Sequence, residues 1–388
     1  RGGGEGSHGA GQQTTGMDWW GTLPSAAELE RQFGLFQPAD VAAADCCDPQ
    51  VNGKGHVTCV CARCVAWKQY VRGELPGGPP WPQYEVFTEE HIRGLAAYIW
   101  GRYQPCSTMP SVKVLELGGG DGRLSYHLFR ALQALGTEAG CCSAIQLDGM
   151  ARPSSGEQDG LCPSREAGSR SVELSMRLRC TDSGLRGLHA HLNQSRRVPA
   201  RRVTVFLQSF EKALSEFQPD VVLVSWQPMG QDWTAAIRAT PSVAEYILIG
   251  EIDDGICGQP WATWGHHPPG ICWGDSSSSS SSSGEIHGQN EAEANSTDGD
   301  ATSPSIPAGE KMQGMGTLGK RRRSAERDWR APFEADNFVR QELCHLRALQ
   351  LCRTDECWLS QRHSHTVSFR RQDQGRVDEE HWQSIPVQ

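Results

Sequence analysis

Val112–Ser125 reads VKVLELGGGDGRLS, a short apolar run that ends on an acid, Glu116, and passes straight into a glycine-rich turn and a helix start. Glycines at Gly118, Gly120 and Gly122 make the pattern E-x-G-x-G-x-G. Glycine at such positions lets the backbone take positive φ and lets a ligand approach the main chain with no Cβ in the way. The dinucleotide fingerprint wants its third glycine at position 123, where Arg123 stands, which counts against a nicotinamide-dependent oxidoreductase. The stretch predicts a strand, a ligand-cradling loop and a helix.

Outward from it, strands and helices alternate. Upstream, Phe87–Tyr103 reads as a helix capped by Thr88, with Phe87 placed to staple onto Ile92. Downstream come the rest of the helix (Leu124–Leu135) and a second strand, Ala144–Leu147, ending on Asp148. From 151 to about 200 the chain is rich in Ser, Arg and Gly without a steady period, and most of it reads as an insertion. Order resumes with strand Val203–Leu207, helix Glu211–Phe217, strand Asp220–Val224, helix Asp232–Ala239 and strand Tyr246–Gly250. This alternation predicts an α/β fold with a mostly parallel, doubly wound sheet covered on both faces. After a long low-complexity stretch, helical signal returns at Phe338–Leu351, and His365–Arg371 alternates like a terminal strand.

The glycine motif in this strand–loop–helix setting resembles the first motif of the class I S-adenosylmethionine-dependent methyltransferases, with a seven-strand, Rossmann-like sheet. The segments DVVLVSWQPMGQDWTAAIR and EYILIGEIDDGICGQPWATWG look like a little-characterised eukaryotic branch of that family. The likeness covers about 84–274 and 331–371. It implies S-adenosylmethionine as cofactor, held by Gly118, Gly120 and Gly122, with Glu116 in the family's first acidic position and Asp121 within the loop. An acid at the end of the second strand would bind the ribose hydroxyls, since a carboxylate accepts two hydrogen bonds, and Asp148 is assigned that place. A turn residue in Asp148-Gly149 is the plain alternative. At the third strand, where families often carry an acid, this chain has Gln208-Ser209. The late helix and strand would form the family's last hairpin.

On the substrate side, Ser225–Gly230 lies just past the fourth strand, where open α/β sheets bind ligands. Trp226 and Pro228 are candidates there, although the run lacks the Asn or Asp that amine methyltransferases often place before the proline. Glu251, with Asp253 and Asp254 and beside Trp261 and Trp264, is a candidate for binding a cationic group or accepting a proton. The tryptophans read equally well as core and the acids as solvated turn residues.

Cys46, Cys47, Cys59, Cys61 and Cys64 crowd one short segment near His56. Cys61-x-x-Cys64 has zinc-knuckle spacing, and Cys46 or Cys47 with Cys59 would complete a tetrahedron for structural zinc. Buried free thiols are the alternative, and no thioredoxin-like context supports a redox pair.

The remaining composition sets limits. Among 388 residues are 43 Gly and 22 Pro, with a hydrophobic fraction of 37%, which suits one packed domain diluted by loops and disorder. The predicted organisation is a leader with a short helix (1–45), a Cys-rich module and Pro-rich linker (46–83), a methyltransferase-like core (84–274, with the 151–200 insertion), a Ser-rich disordered insertion (275–327), the rest of the core (328–371) and a tail (372–388). Net charge of −9 argues against nucleic-acid binding by bulk electrostatics, and the KRRR run at Lys320–Arg323 reads as solvated charge, with a nuclear localisation signal or a weak nucleic-acid contact as the alternative. No apolar run is long enough to span a membrane. Fifteen cysteines outside a secreted disulfide pattern point to an intracellular protein, cytoplasmic or nuclear. Organellar targeting stays open, because the chain starts at Arg1 and reads as a fragment or processed form. The expected function is methyl transfer to an unidentified acceptor, a protein by preference because of the appended module. A catalytically inactive scaffold of the same fold that docks a partner is the alternative.

Overall fold

The computed structural model describes residues 20–36, 50–51, 57–104, 111–139, 144–149, 175–184, 203–252, 256–266, 330–357, 359 and 361–372. Helix α1 (Ala26–Phe33) precedes the short strands β1 (Gln50–Val51) and β2 (Val57–Thr58) and helix α2 (Ala62–Arg72). Then come β3 (Glu85–Val86), α3 (Glu89–Tyr103), β4 (Ser111–Leu117), α4 (Arg123–Glu138), β5 (Ala144–Leu147), β6 (Ser175–Asp182) and β7 (Val205–Leu207). The series continues with α5 (Phe210–Phe217), β8 (Val221–Ser225), α6 (Thr234–Ala239), β9 (Glu245–Glu251) and α7 (Pro260–Trp264). Helix α8 (Pro332–Ala335), β10 (Phe338–Glu342), α9 (Cys344–Arg347), β11 (Leu351–Cys352) and β12 (Ser364–Arg371) complete it.

One main sheet runs β10-β12-β9-β8-β4-β6-β5, with β7 also on β6. Strands β4 to β9 pair in parallel, and β12 and β10 close the far side antiparallel. This is the mostly parallel α/β sheet that the alternation of strands and helices predicts, with eight strands among the described residues where the resemblance implies seven. Its central strands bury both faces, as a parallel sheet with two helical layers requires. Val112, Val114, Leu223 and Ile247 face the core that includes α3 and α4, through Ile92, Leu95 and Leu128. Leu115, Leu117, Val222 and Leu248 face the other, through Phe217 and Ile237 of α5 and α6. Thr88 caps α3 as expected, its hydroxyl accepting from the His91 N–H at 3.2 Å.

Two sequence expectations are corrected. Residues 175–182 fall within the stretch taken as an insertion, yet they form β6, which pairs with β4 along its whole length from Ser111↔Ser175 to Leu117↔Thr181. Strand β5 is displaced to the outer edge of β6, end to end with β7. The segment SMRLRCTD reads as polar because arginines alternate with the buried Met176, Leu178 and Cys180. Those arginines are partly covered: the Arg179 guanidinium lies 4.4 Å from the Phe217 ring centroid, and both Arg177 and Arg179 pair with Asp148. At Phe338–Leu351 the expected helix is instead β10, a single turn (α9) and β11. Phe338–Glu342 is drawn into an antiparallel ladder with β12, and Leu346 of the turn packs against α3. The 275–327 insertion and the KRRR run lie outside the described residues.

The N-terminal helices do not stand apart. Leu29 and Phe33 of α1 pack with Trp67, Tyr70 and Val71 of α2 and with Val86 and Leu351 of the small β3–β11 sheet. Deep in the molecule, Glu245 at the start of β9 accepts hydrogen bonds from Tyr98 and Tyr103 at 2.6 Å each and from Ser368, beside the Arg102 guanidinium at 3.3 Å. This carboxylate joins α3, β9 and β12. Removing one member of a buried charged network leaves the others desolvated and unpaired. Glu245→Ala is expected to lower unfolding free energy by about 3–5 kcal/mol and Tyr103→Phe by about 1–3 kcal/mol, read from urea denaturation curves.

Candidate functional site

A cavity of about 840 Å³ opens at the carboxyl ends of β4, β6, β7 and β8. That volume lies in the range of small-molecule sites. Strand β4 lies between β6 and β8, so the chain runs out from it in both directions, and the crevice at such a switch point is where doubly wound sheets take ligands.

The floor is the glycine loop. Gly118, Gly120 and Gly122 have φ of 67°, 55° and 79°, a region that side chains rarely enter. Close approach sets the rest: a Cβ on Gly119 would stand 2.3 Å from the Cys180 sulfur, and one on Gly122 2.6 Å from the Val203 side chain. Without those atoms the loop lies against β6, the Gly119 N–H donating to the Thr181 carbonyl at 2.9 Å and the Gly120 N–H to the Asp182 carboxylate at 3.1 Å. Asp182 also accepts from the Gly184 N–H at 2.6 Å.

Glu116, Gly118, Gly120 and Asp121 all line the cavity. Gly122 lies behind the loop as the residue before α4, outside the lining. Asp148 is not brought to the cavity; it is held by Arg177 and Arg179 at 3.1 and 2.8 Å, and Asp182 occupies the strand end beside the loop. The reason is the exchange of strand places, which puts the acid of β6, not that of β5, next to β4. An alternating run ending in Asp was the available signal.

Glu116 is buried and accepts from both the N–H and hydroxyl of Ser125. Burial pushes its pKa up to about 7, against those hydrogen bonds. Burial likewise raises Asp121, whose Oδ1 caps the Arg123 N–H at 3.0 Å. Arg123, expected only as a departure from the dinucleotide motif, reaches across to Gln83 at 3.0 Å and the Thr22 carbonyl at 3.2 Å. It thereby ties the loop to two N-terminal segments.

The opposite wall comes from β8 and β3. Trp226 and Pro228 line the cavity with Met229, and Trp226 has φ of 54°, a strained conformation for a bulky residue costing ~1–3 kcal/mol. Its N–H donates to Ile249 at 2.8 Å, and its indole N–H to Glu85 at 2.8 Å. Glu85, which sequence reasoning passed over, also accepts from Ser364 at 2.7 Å and Gln350 at 3.2 Å. Burial drives its pKa up to about 7 despite these donors. No local motif marks it, because each partner lies far along the chain. Phe210 and Trp233 stack at 5.3 Å beside Gly118 and complete the lining near Gln208 and Ser209.

Glu251 is buried outside the cavity lining and accepts from Thr354 at 2.8 Å. Trp264 is core, donating to the Cys257 carbonyl at 2.7 Å, and Trp261 packs against the same cluster. Asp253 and Asp254 lie outside the described residues, as do Cys46 and Cys47.

Away from the cavity, Cys59, Cys61 and Cys64 meet Cys357, with all four sulfurs within 4.8 Å of one another. This donor set suits a soft metal ion. Cys357 has no sequence signal, because it lies far along the chain from the other three and shows no ligand spacing with them.

No family model matches the chain, and no curated protein does. Among solved structures, the mitomycin 7-O-methyltransferase MmcR is 13% identical over 43% of this chain and 37% of its own, with a TM-score of 0.20. The plantazolicin methyltransferase BpumL, in complex with SAH, is 12% identical over 43% of this chain and 46% of its own, with a TM-score of 0.21. The chain thus spans less than half the length of either, and the functional reading rests on the sheet and cavity themselves. Among the described residues, no helix is long and apolar enough to cross a membrane.

A carboxyl whose folded pKa is raised holds a proton that the unfolded chain sheds, so folding weakens as pH rises from the ordinary value through the folded one. For Glu116 that window runs from 4.5 to about 7. Glu116→Gln, which stays neutral, is expected to lose less stability than the wild type between those limits, as read from urea midpoints across the range.

Proposed function

We propose that the cavity binds S-adenosylmethionine and that the chain transfers its methyl group to an acceptor entering over the Trp226–Met229 rim. The observation that carries this reading is the glycine loop lying on β6 with Asp182 beside it, at the switch point of a parallel sheet. Gly118 and Gly120 leave main-chain surface open for the amino-acid end of the cofactor. Asp182 takes the ribose role first assigned to Asp148, since a carboxylate accepts from vicinal hydroxyls. Phe210 and Ser209 lie where a purine would stack and be edged.

S-adenosylmethionine supplies an activated methyl group; the protein's part is to hold an acceptor in line and exclude water. Trp226 and Pro228 shape that side. Glu85 is the carboxyl of this wall that lines the cavity, and its pKa near 7 suits it to take a proton from an acceptor at neutral pH. Met229 is 68% exposed at the rim. An apolar side chain left in solvent there fits a macromolecular acceptor, and a protein is the class we favour.

Calorimetric titration of S-adenosylmethionine and S-adenosylhomocysteine into the full chain tests the cofactor half. Micromolar binding is expected, abolished by Gly120→Arg. Asp182→Ala should weaken it at least tenfold, about 1.4 kcal/mol, while Asp148→Ala leaves it unchanged. Absence of binding by folded wild-type protein sinks the reading and leaves a scaffold that docks a partner.

A further inference from the structure

We propose that Cys59, Cys61, Cys64 and Cys357 bind one zinc ion that fastens the N-terminal helix pair to the segment following β11. Tetrahedral zinc with Zn–S near ~2.3 Å sets its sulfurs ~3.8 Å apart. The Cys61 and Cys357 sulfurs are 3.8 Å apart and those of Cys64 and Cys357 3.0 Å. Main-chain N–H groups are already aimed at these sulfurs. Cys61 donates to Cys59 and Cys64 to Cys61, at 3.4 Å each, and Cys357 donates to Cys64 at 3.3 Å. Such donors orient and steady thiolate ligands.

Buried thiols acting as small apolar groups would be mixed with aliphatic and aromatic neighbours. Among the described residues, the apolar contact cluster here consists of cysteines alone, Cys59, Cys64 and Cys357 with Cys61 at its edge. Four thiolates around a dication leave a net negative charge, and a cation stands beside it. Lys68 donates to the Cys59 carbonyl at 3.1 Å and pairs with Glu356 at 2.7 Å, while Glu356 accepts from the Cys59 N–H at 3.1 Å. Three ligands come from the start of α2 and one from 293 residues away, and a clip closing so long a loop restricts the unfolded chain strongly. Cys357 follows β11, whose Cys352 pairs in register with Glu85 of the cavity wall. The ion would therefore hold that wall from behind. This site stands whether or not the cavity takes S-adenosylmethionine.

The test is metal analysis of the full chain, purified without an affinity tag that binds metal, by native and elemental mass spectrometry. One zinc per chain is expected, reduced at least tenfold in Cys61→Ser and Cys357→Ala and retained in Cys46→Ser/Cys47→Ser. Because a ligand variant can fail to fold, wild-type protein is also exchanged with cobalt(II), which should give the spectrum of a tetrahedral tetrathiolate. Chelation should lower its melting temperature. Folded wild-type protein without metal, an iron-loaded protein, a Cys64–Cys357 disulfide in peptide maps, or zinc dependent on Cys46 or Cys47 would each overturn the proposal.

Discussion

The molecule is organised by a place where side chains are missing. Strand β4 can run straight into a loop that rests on β6 only because Gly119 and Gly122 carry no Cβ to strike Cys180 and Val203. That contact brings the Gly120 N–H to Asp182, turns the chain into α4, and buries Glu116 under Ser125. The carboxylates of the cavity floor are thus held by main-chain N–H groups of the loop and of the start of α4, and rigid elements place reactive groups better than free loops do. The cost is a buried carboxyl at Glu116 that prefers its proton near neutrality.

The two halves of the cavity were unequally legible. The floor is local: five consecutive residues, Gly118 to Gly122, carry its geometry, and a strand–glycine–helix pattern announces it. The sheet around it was legible wherever strands are apolar on both faces, as in Val221–Ser225 and Glu245–Glu251, and hidden where they are not. Strand β6 carries arginines whose guanidinium groups lie near the Phe217 ring and whose charge is answered by Asp148; nothing short of the fold reveals that polar face as partly covered. With β6 hidden, Asp148 at the end of β5 reads as the acid beside the glycine loop, where the sheet sets Asp182. The helix expected at Phe338–Leu351 failed for a different reason: spacing alone does not distinguish an edge strand plus one turn from a short helix when the partner strand lies later in the chain.

The wall facing the floor is built from long-range contacts. Glu85 gathers Trp226, Gln350 and Ser364 across separations of 141, 265 and 279 residues. Cys357 meets its three partners over comparable distances. Trp226 stays in its strained conformation because this network holds it from several sides. The wall and the cysteine cluster therefore belong to one body of structure in which the first and last described segments interlock, and neither is intelligible as a module read from its own stretch of sequence.

The placement of β12 has a temporal consequence. It sits between β9 and β10, and its partner β9 is buried along its whole length in the finished sheet. A ribosome delivers β9 first and must then make residues 252–363 before the strand that covers it emerges. Throughout that interval the nascent chain displays an unpaired apolar edge, the kind of template that invites pairing with another chain. Biosynthesis of this sheet thus has a vulnerable window whose length is set by the long intervening segment.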